Sequence, residues 1–178
     1  MVDPPAVTLR ARTEDDLDVL FRLASDLDTW EEREDAPPTA LSRQRFDARL
    51  SQAAADDGPE DAVSFIIDVD GRAVGSASLF SIDPLARHAE AGISLLPDAR
   101  GRGIGTAAMS QLVEFAFVRR NLRRIHLQVI ASNAAAIRCY EKAGFVLEGR
   151  LREHAWVRGA YEDIVVMGAL RSDRPLPA

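Results

Sequence analysis

The stretch Arg100-Gly101-Arg102-Gly103-Ile104-Gly105-Thr106 sets glycines at alternate positions between an apolar run, Gly92-Ile93-Ser94-Leu95-Leu96, and a helix-like segment from Ala107 to Arg120. Glycines at that spacing let the backbone approach a ligand closely, and the helix start behind them offers unpaired N–H donors at the positive end of a dipole. The chemistry such a loop can do is anion binding, with phosphate the foremost candidate. A glycine-rich strand-to-helix turn with solvated arginines uses the same residues, so the loop alone leaves both readings open. Two nucleotide loops are excluded. The dinucleotide fingerprint wants glycine at its first, third and sixth positions, and counting from Gly101 the sixth is Thr106. No Gly-Lys-Ser/Thr follows, so it is not a nucleotide-triphosphate loop either.

A chain of 178 residues forms one domain and buries a sizeable core without disulfides or metal. A net charge of −6 argues against a general nucleic-acid binder, whose footprint is basic. Cys139 is the only cysteine, which fits a reducing compartment. It sits in a helical pattern and reads as a packed thiol rather than a nucleophile. His88, His126 and His154 are widely separated, with no ligand spacing around them, so no metal is expected. Met1 to Pro5 lacks the basic and apolar parts of a signal, and no apolar run is long enough to span a bilayer. The expectation is a cytoplasmic protein without a membrane segment.

The elements that must hold the loop follow from periodicity. Val7 to Ala11 alternates as a strand, and Thr13 with Asp16 opens a helix carrying Leu17, Leu20, Phe21, Ala24 and Leu27. An acidic loop with Trp30, Glu31, Glu32 and Glu34 follows, then a helix from Leu41 to Ala54 with Phe46 and Leu50 inward. Val63 to Val69 and Ala73 to Phe80 form a hairpin through Asp70-Gly71, and Ala89 to Leu96 is a further strand. The helix behind the glycine loop shows Ile104, Ala108, Leu112, Phe115 and Ala116 on one stripe. Ile125 to Ile130 is a strand, Asn133 to Ala143 a helix ended by Gly144. Strands at Phe145 to Leu151, His154 to Val157 and Tyr161 to Leu170 complete the pattern, with Arg158-Gly159 as a turn.

Within this frame, Arg100 to Gly105 fits Arg/Gln-x-x-Gly-x-Gly/Ala, and Asn133-Ala134-Ala135-Ala136-Ile137-Arg138-Cys139-Tyr140-Glu141-Lys142-Ala143-Gly144-Phe145 fits Asn-x-x-Ala-x-x-x-Tyr-x-x-x-Gly-Phe. In this order and setting the two resemble the acetyl-coenzyme-A signatures of the GCN5-related N-acetyltransferase (GNAT) family. The ending, Glu148 to Glu153 and Gly159 to Asp163, is similar to the branch with ribosomal-protein N-terminal and spermidine acetyltransferases.

The resemblance implies an α+β, three-layer fold over residues 1–178: a mixed, centrally splayed sheet of about 6–7 strands with helices on both faces. The core spans about 7–170, with a frayed tail from Arg171 to Ala178. It implies transfer of acetyl from acetyl-CoA to a primary amine by direct attack, on a small molecule or a protein N-terminus. The same fold using succinyl-CoA, or sensing acyl-CoA without turnover, stays open, and a homodimer is compatible with it. Glu90 becomes the base and Tyr140 the proton donor to the leaving thiolate. Leu95, Leu96, Arg100, Gly101, Arg102, Gly103, Ile104, Gly105, Thr106, Asn133, Ala136 and Tyr140 would hold coenzyme A, with a strand bulge near Leu95. Trp30, Glu31, Glu32, Glu34, Trp156 and Tyr161 become acceptor contacts, the loop carboxylates suiting a cationic amine. Against these roles stand ordinary ones: a solvated strand-edge charge for Glu90, a helix cap for Asn133 and a merely solvated acidic loop.

Overall fold

Period-two alternation is clear from Gly75 to Leu79 and from Arg124 to Val129, and the seven strands join in one mixed sheet. The computed structural model describes residues 6–28, 40–55 and 61–174. Its strands are β1 (Val7–Arg10), β2 (Val63–Val69), β3 (Arg72–Asp83), β4 (His88–Leu95), β5 (Arg124–Ile130), β6 (Val146–Val157) and β7 (Ala160–Leu170), in the order β1-β2-β3-β4-β5-β7-β6. Asp70 and Gly71, with φ of 53° and 81°, give the β2–β3 hairpin two consecutive left-handed residues. Every neighbouring pair is antiparallel except β4 and β5.

That parallel contact holds only at His88 with Arg124, Ala89 with Ile125 and Glu90 with His126. Beyond Glu90 the strands part. β4 stays with β3 as far as Leu95, and β5 stays with β7 as far as Ile130. The central splay is therefore present, but the bulge anticipated near Leu95 is not, because β4 keeps its register with β3 from Glu90 to Leu95. The β3–β4 irregularity lies instead between Phe80 and Asp83, where Ser81 takes a φ of 51°.

The helices are α1 (Leu17–Ser25), α2 (Arg43–Ala55), α3 (Ile104–Glu114) and α4 (Ala134–Lys142). On α3 the apolar stripe buries Ile104, Ala108 and Leu112, together with Met109 and Val113, in one core with Ile67, Leu79, Ile125 and Leu127 of the sheet. A wider turn, Phe115–Arg119, closes the helix through Arg120 N–H donating to the Phe115 oxygen at 3.1 Å. It keeps Ala116 and Phe117 buried. Leu23, Phe46 and Ile66 are buried apart from that core, with α1 packed on β3. Helices thus cover both faces.

Near the first strand, the Arg10 guanidinium reaches both Asp16 oxygens, at 2.7 and 2.8 Å, and an Asp68 oxygen at 2.8 Å. Thr13 donates its amide to Asp16 at 2.7 Å. Arg10 first, and the Thr13 donors with it, hold the nearly buried Asp16 carboxyl well below the usual aspartate range.

Several boundaries differ from the sequence pattern. The first strand stops at Arg10. The two expected strands around Leu151 and His154 are one, β6, whose register with β7 shifts between Leu151 and Ala155. Glu153, at φ 50°, makes that bulge and gives its amide to Asp163 at 2.8 Å. Polar residues on both sides of this exposed edge hide the continuity from a period-two reading. Arg171–Asp173 form a short 3-10 turn. Among the described residues, no helix is long and apolar enough to cross a membrane.

Candidate functional site

The parting of β4 from β5 opens a cleft of about 760 Å³. β3 and β4 contribute Ser76, Ser78, Phe80 and Glu90, the glycine loop contributes Arg100, Gly101, Gly103, Gly105 and Thr106, and α4 contributes Asn133, Ala136 and Tyr140. Both sequence signatures thus meet in one space.

The loop geometry explains its glycines. Gly101 and Gly103 have φ of 71° and 80°, and a Cβ built on either meets nothing within 4 Å. The backbone conformation, not crowding, demands glycine there, and the space above stays open to a ligand. Gly105 differs. Its Cβ would sit 3.3 Å from Cys139 Sγ, so this glycine lets α3 and α4 approach. The first helical bond of α3 runs from Ala107 N–H to the Gly103 oxygen, so the amides of Ile104, Gly105 and Thr106 have no acceptor within the helix. Arg138 and Lys142 line the same cleft from α4. These amides and cations, in a cleft of this size, fit an elongated ligand with a phosphate-bearing end such as coenzyme A.

Leu96 donates its amide to Val74, so in β4 the N–H and C=O groups of Leu95 point away from β3, toward the splay. Arg100 Nε donates to that Leu95 oxygen at 3.1 Å. Glu90 stands where the parallel pairing ends, between Phe80 and His126 in register.

Tyr140 is only 7 % exposed yet borders the cleft. Burial, aided by Cys139 beside it, pushes its phenol well above the ordinary tyrosine value, so the hydroxyl keeps its proton. Asn133 accepts the Ala136 amide at 3.1 Å and caps α4, while its side chain still borders the cleft. Burial also pushes the Cys139 thiol up, consistent with a packed thiol.

Some expected residues lie elsewhere. Leu96 turns its side chain into the core and has committed its amide to β3; Ile104 also buries its side chain, while its amide stays among the open donors of the loop. Arg102 is exposed and does not line the cleft. Trp156 and Tyr161 face one another across the β6–β7 hairpin, ring centroids 4.8 Å apart, away from the cleft lining. The two rings meet edge to face as a cross-strand pair, and both stay exposed. The adjoining turn still touches the start of the acidic segment, through Arg158 and Asp28 at 3.2 Å. Trp30, Glu31, Glu32 and Glu34 fall outside the described residues.

Sequence reasoning missed Arg138 and Lys142, although their i, i+4 spacing puts them on one helix face. It also missed Ser94, which is 7 % exposed, lies opposite Ser76 and borders the cleft with no hydrogen-bond partner for its hydroxyl. The alternation of small polar residues at Ser76, Ser78 and Ser94 was the available signal.

Comparison with known proteins agrees with this arrangement. Residues 6–146 match the model of the acetyltransferase (GNAT) domain. Spermidine N(1)-acetyltransferase of Vibrio cholerae is 32 % identical over 105 residues, 59 % of this chain and 61 % of that protein. The putative ribosomal N-acetyltransferase YdaF of Bacillus subtilis is 32 % identical over 104 residues, 58 % and 57 % of the two chains. The chain thus spans about six tenths of the length of these curated relatives. The crystal structure of the Vibrio cholerae spermidine N-acetyltransferase with CoA and spermine superposes with a TM-score of 0.84 at 26 % identity, covering 93 % of this chain and 96 % of that one. With two signatures on one splayed sheet and a domain match over most of its length, this chain belongs to the GNAT acetyltransferase family.

Proposed function

We propose that this protein is an acetyl-CoA-dependent N-acetyltransferase that moves an acetyl group to a primary amine by direct attack, without an acyl-enzyme. The observation that carries the reading is the convergence of Glu90, the open amides of α3, Asn133 and Tyr140 on one cleft at the strand parting. Bound acetyl-CoA supplies the activated acyl carbon as a thioester. The protein supplies what surrounds it.

Arg100, the glycine-loop amides, Arg138 and Lys142 neutralise phosphate charge. The Leu95 N–H, turned into the splay, donates toward the carbonyl oxygen as charge develops on it. An amine titrates about three units above neutrality, so Glu90 takes the ammonium proton, directly or through water. The nitrogen bonds to the acyl carbon, the carbon–sulfur bond breaks, the Tyr140 hydroxyl gives its proton to the departing sulfur, and the second proton that the nitrogen sheds passes through water back to the Tyr140 oxygen. Cys139, raised by burial, stays out of the reaction.

A polyamine is the acceptor we favour. A relative of this fold binds spermine. The run Glu31-Glu32-Arg33-Glu34-Asp35, with Trp30 before it, offers carboxylates and an aromatic face to a cationic chain. The test is a thiol-release screen crossing acetyl- and succinyl-CoA with spermidine, an aminoglycoside and N-terminal peptides. Amine-dependent release with acetyl-CoA and spermidine is expected. Binding of acetyl-CoA without release under any pairing would overturn the enzymatic reading in favour of a sensor.

A further inference from the structure

We propose that the end of the sheet opposite the cleft is a second anion site, which binds a compact di- or triphosphate group between Arg123, Arg171 and Arg174. These three arginines, with Leu170 and Ser172, line a separate cavity of about 520 Å³. It lies where β5 begins and β7 ends, whereas the acetyl-CoA cleft opens from Glu90, in register with His126, and follows β5 from Gln128 to Ile130.

The side chains are tied into one network. Arg87 donates to Asn121 Oδ1 at 2.7 Å, and Arg171 donates to the same oxygen at 2.9 Å. Arg87 Nε also reaches the Asn121 carbonyl at 2.9 Å. Arg123 Nε donates to the Ala86 oxygen at 2.8 Å, and its main chain accepts from Arg171. Arg174 reaches the Ala143 oxygen. Asn121 holds its place at φ 52°, a conformation asparagine tolerates.

Two guanidinium charges therefore converge on one neutral amide oxygen, with two more beside them. Their donors meet carbonyl oxygens, which satisfy hydrogen bonding without cancelling charge. Of the neighbouring carboxylates, Glu148 pairs with Arg124, Asp83 accepts the Leu85 and Ala86 amides, and Asp173 is exposed and makes no ion pair with the arginines. Among the described residues, Arg87, Arg123, Arg171 and Arg174 form no ion pair.

Like charges gathered this closely repel, the more so with Arg171 and Arg174 half-buried. A chain of net charge −6 has carboxylates enough to neutralise them, yet among the described residues none forms an ion pair with these four. A multivalent phosphate offers the matching charge, and guanidinium forks bind it in pairs. The small extent of the cluster favours a compact anion over a nucleic-acid track, since the adjoining Arg124 is already neutralised by Glu148.

The test is calorimetric titration of sodium pyrophosphate into the protein, with coenzyme A saturating the cleft and ionic strength fixed with chloride. One-to-one binding is expected, weakened at least tenfold in Arg123→Gln/Arg171→Gln. The control Arg12→Gln/Arg22→Gln removes equal charge elsewhere and should bind as the original does. Absence of heat, or equal weakening in both double variants, would overturn the site. A short single-stranded RNA that binds where pyrophosphate does not would overturn the choice of a compact anion. Coenzyme A binding is read separately, so failure of the cleft reading is distinguishable from failure of this one.

Discussion

Arg100 Nε lies 3.1 Å from the main-chain oxygen of Leu95. The first residue of the glycine motif therefore closes the end of β4 after β5 has left it, and one side chain joins the anion loop to the strand edge that borders the cleft. Replacing Arg100 with Ala should raise the KM for acetyl-CoA and lower stability by about 1–2 kcal/mol, the worth of a charge-assisted bond to a half-buried carbonyl. Arg100→Lys should not restore KM, because an ammonium lacks the fork that serves strand and phosphate together. Steady-state kinetics and denaturant melts check both.

Tyr140→Phe removes the hydroxyl and keeps the packing against Phe145, whose ring centroid is 6.0 Å away. Turnover should fall by about 10²-fold or more, as expected for loss of a positioned acid. The Kd for acetyl-CoA should hardly move. Because burial raises the phenol's pKa, kcat in the original protein should show no alkaline loss from this group as pH passes about 10, where a free tyrosine titrates.

Gly103 starts α3 at φ 80° with open space around it. Gly103→Ala should cost about 1 kcal/mol through backbone strain. Gly103→Glu adds bulk and negative charge where phosphate is expected, and should abolish the rise in Tm that acetyl-CoA produces by mass action. Thermal melts with and without the nucleotide distinguish the two effects.

Asp16 gives a pH prediction. Its carboxyl titrates lower in the folded protein than in the unfolded chain, so the stability it contributes is present above about pH 3.9 and is lost as pH falls below that value toward the folded pKa. Asp16→Asn should cost about 1–2 kcal/mol near neutrality, since the partly exposed Arg10 loses one of two carboxylate partners and keeps Asp68, and should flatten the acid limb of the stability curve. A stability curve between pH 7 and 2 that is equally steep in both proteins would contradict this.

Much of the fold was legible because periodicity and turn chemistry agreed. Asp70-Gly71 named its hairpin, and Ile104, Ala108 and Leu112 named the buried face of α3. The signatures located the cleft, since both are local sequence facts about a loop and a helix. What stayed hidden depends on distant pairing. β6 looked like two strands because its bulge at Glu153 is fixed by Asp163 on the neighbouring strand. That Trp156 and Tyr161 stand opposite one another follows from the β6–β7 register, which no local pattern shows. No local pattern announces that Arg87 and Arg171 share the oxygen of Asn121.

Amine acetylation at the cleft shared by Glu90 and Tyr140 is checked by mass spectrometry of spermidine incubated with acetyl-CoA and the protein, beside Glu90→Gln and Tyr140→Phe. Spermidine carrying one acetyl group is expected, formed much more slowly by both variants. No acetylated amine, or undiminished formation by both variants, would contradict it.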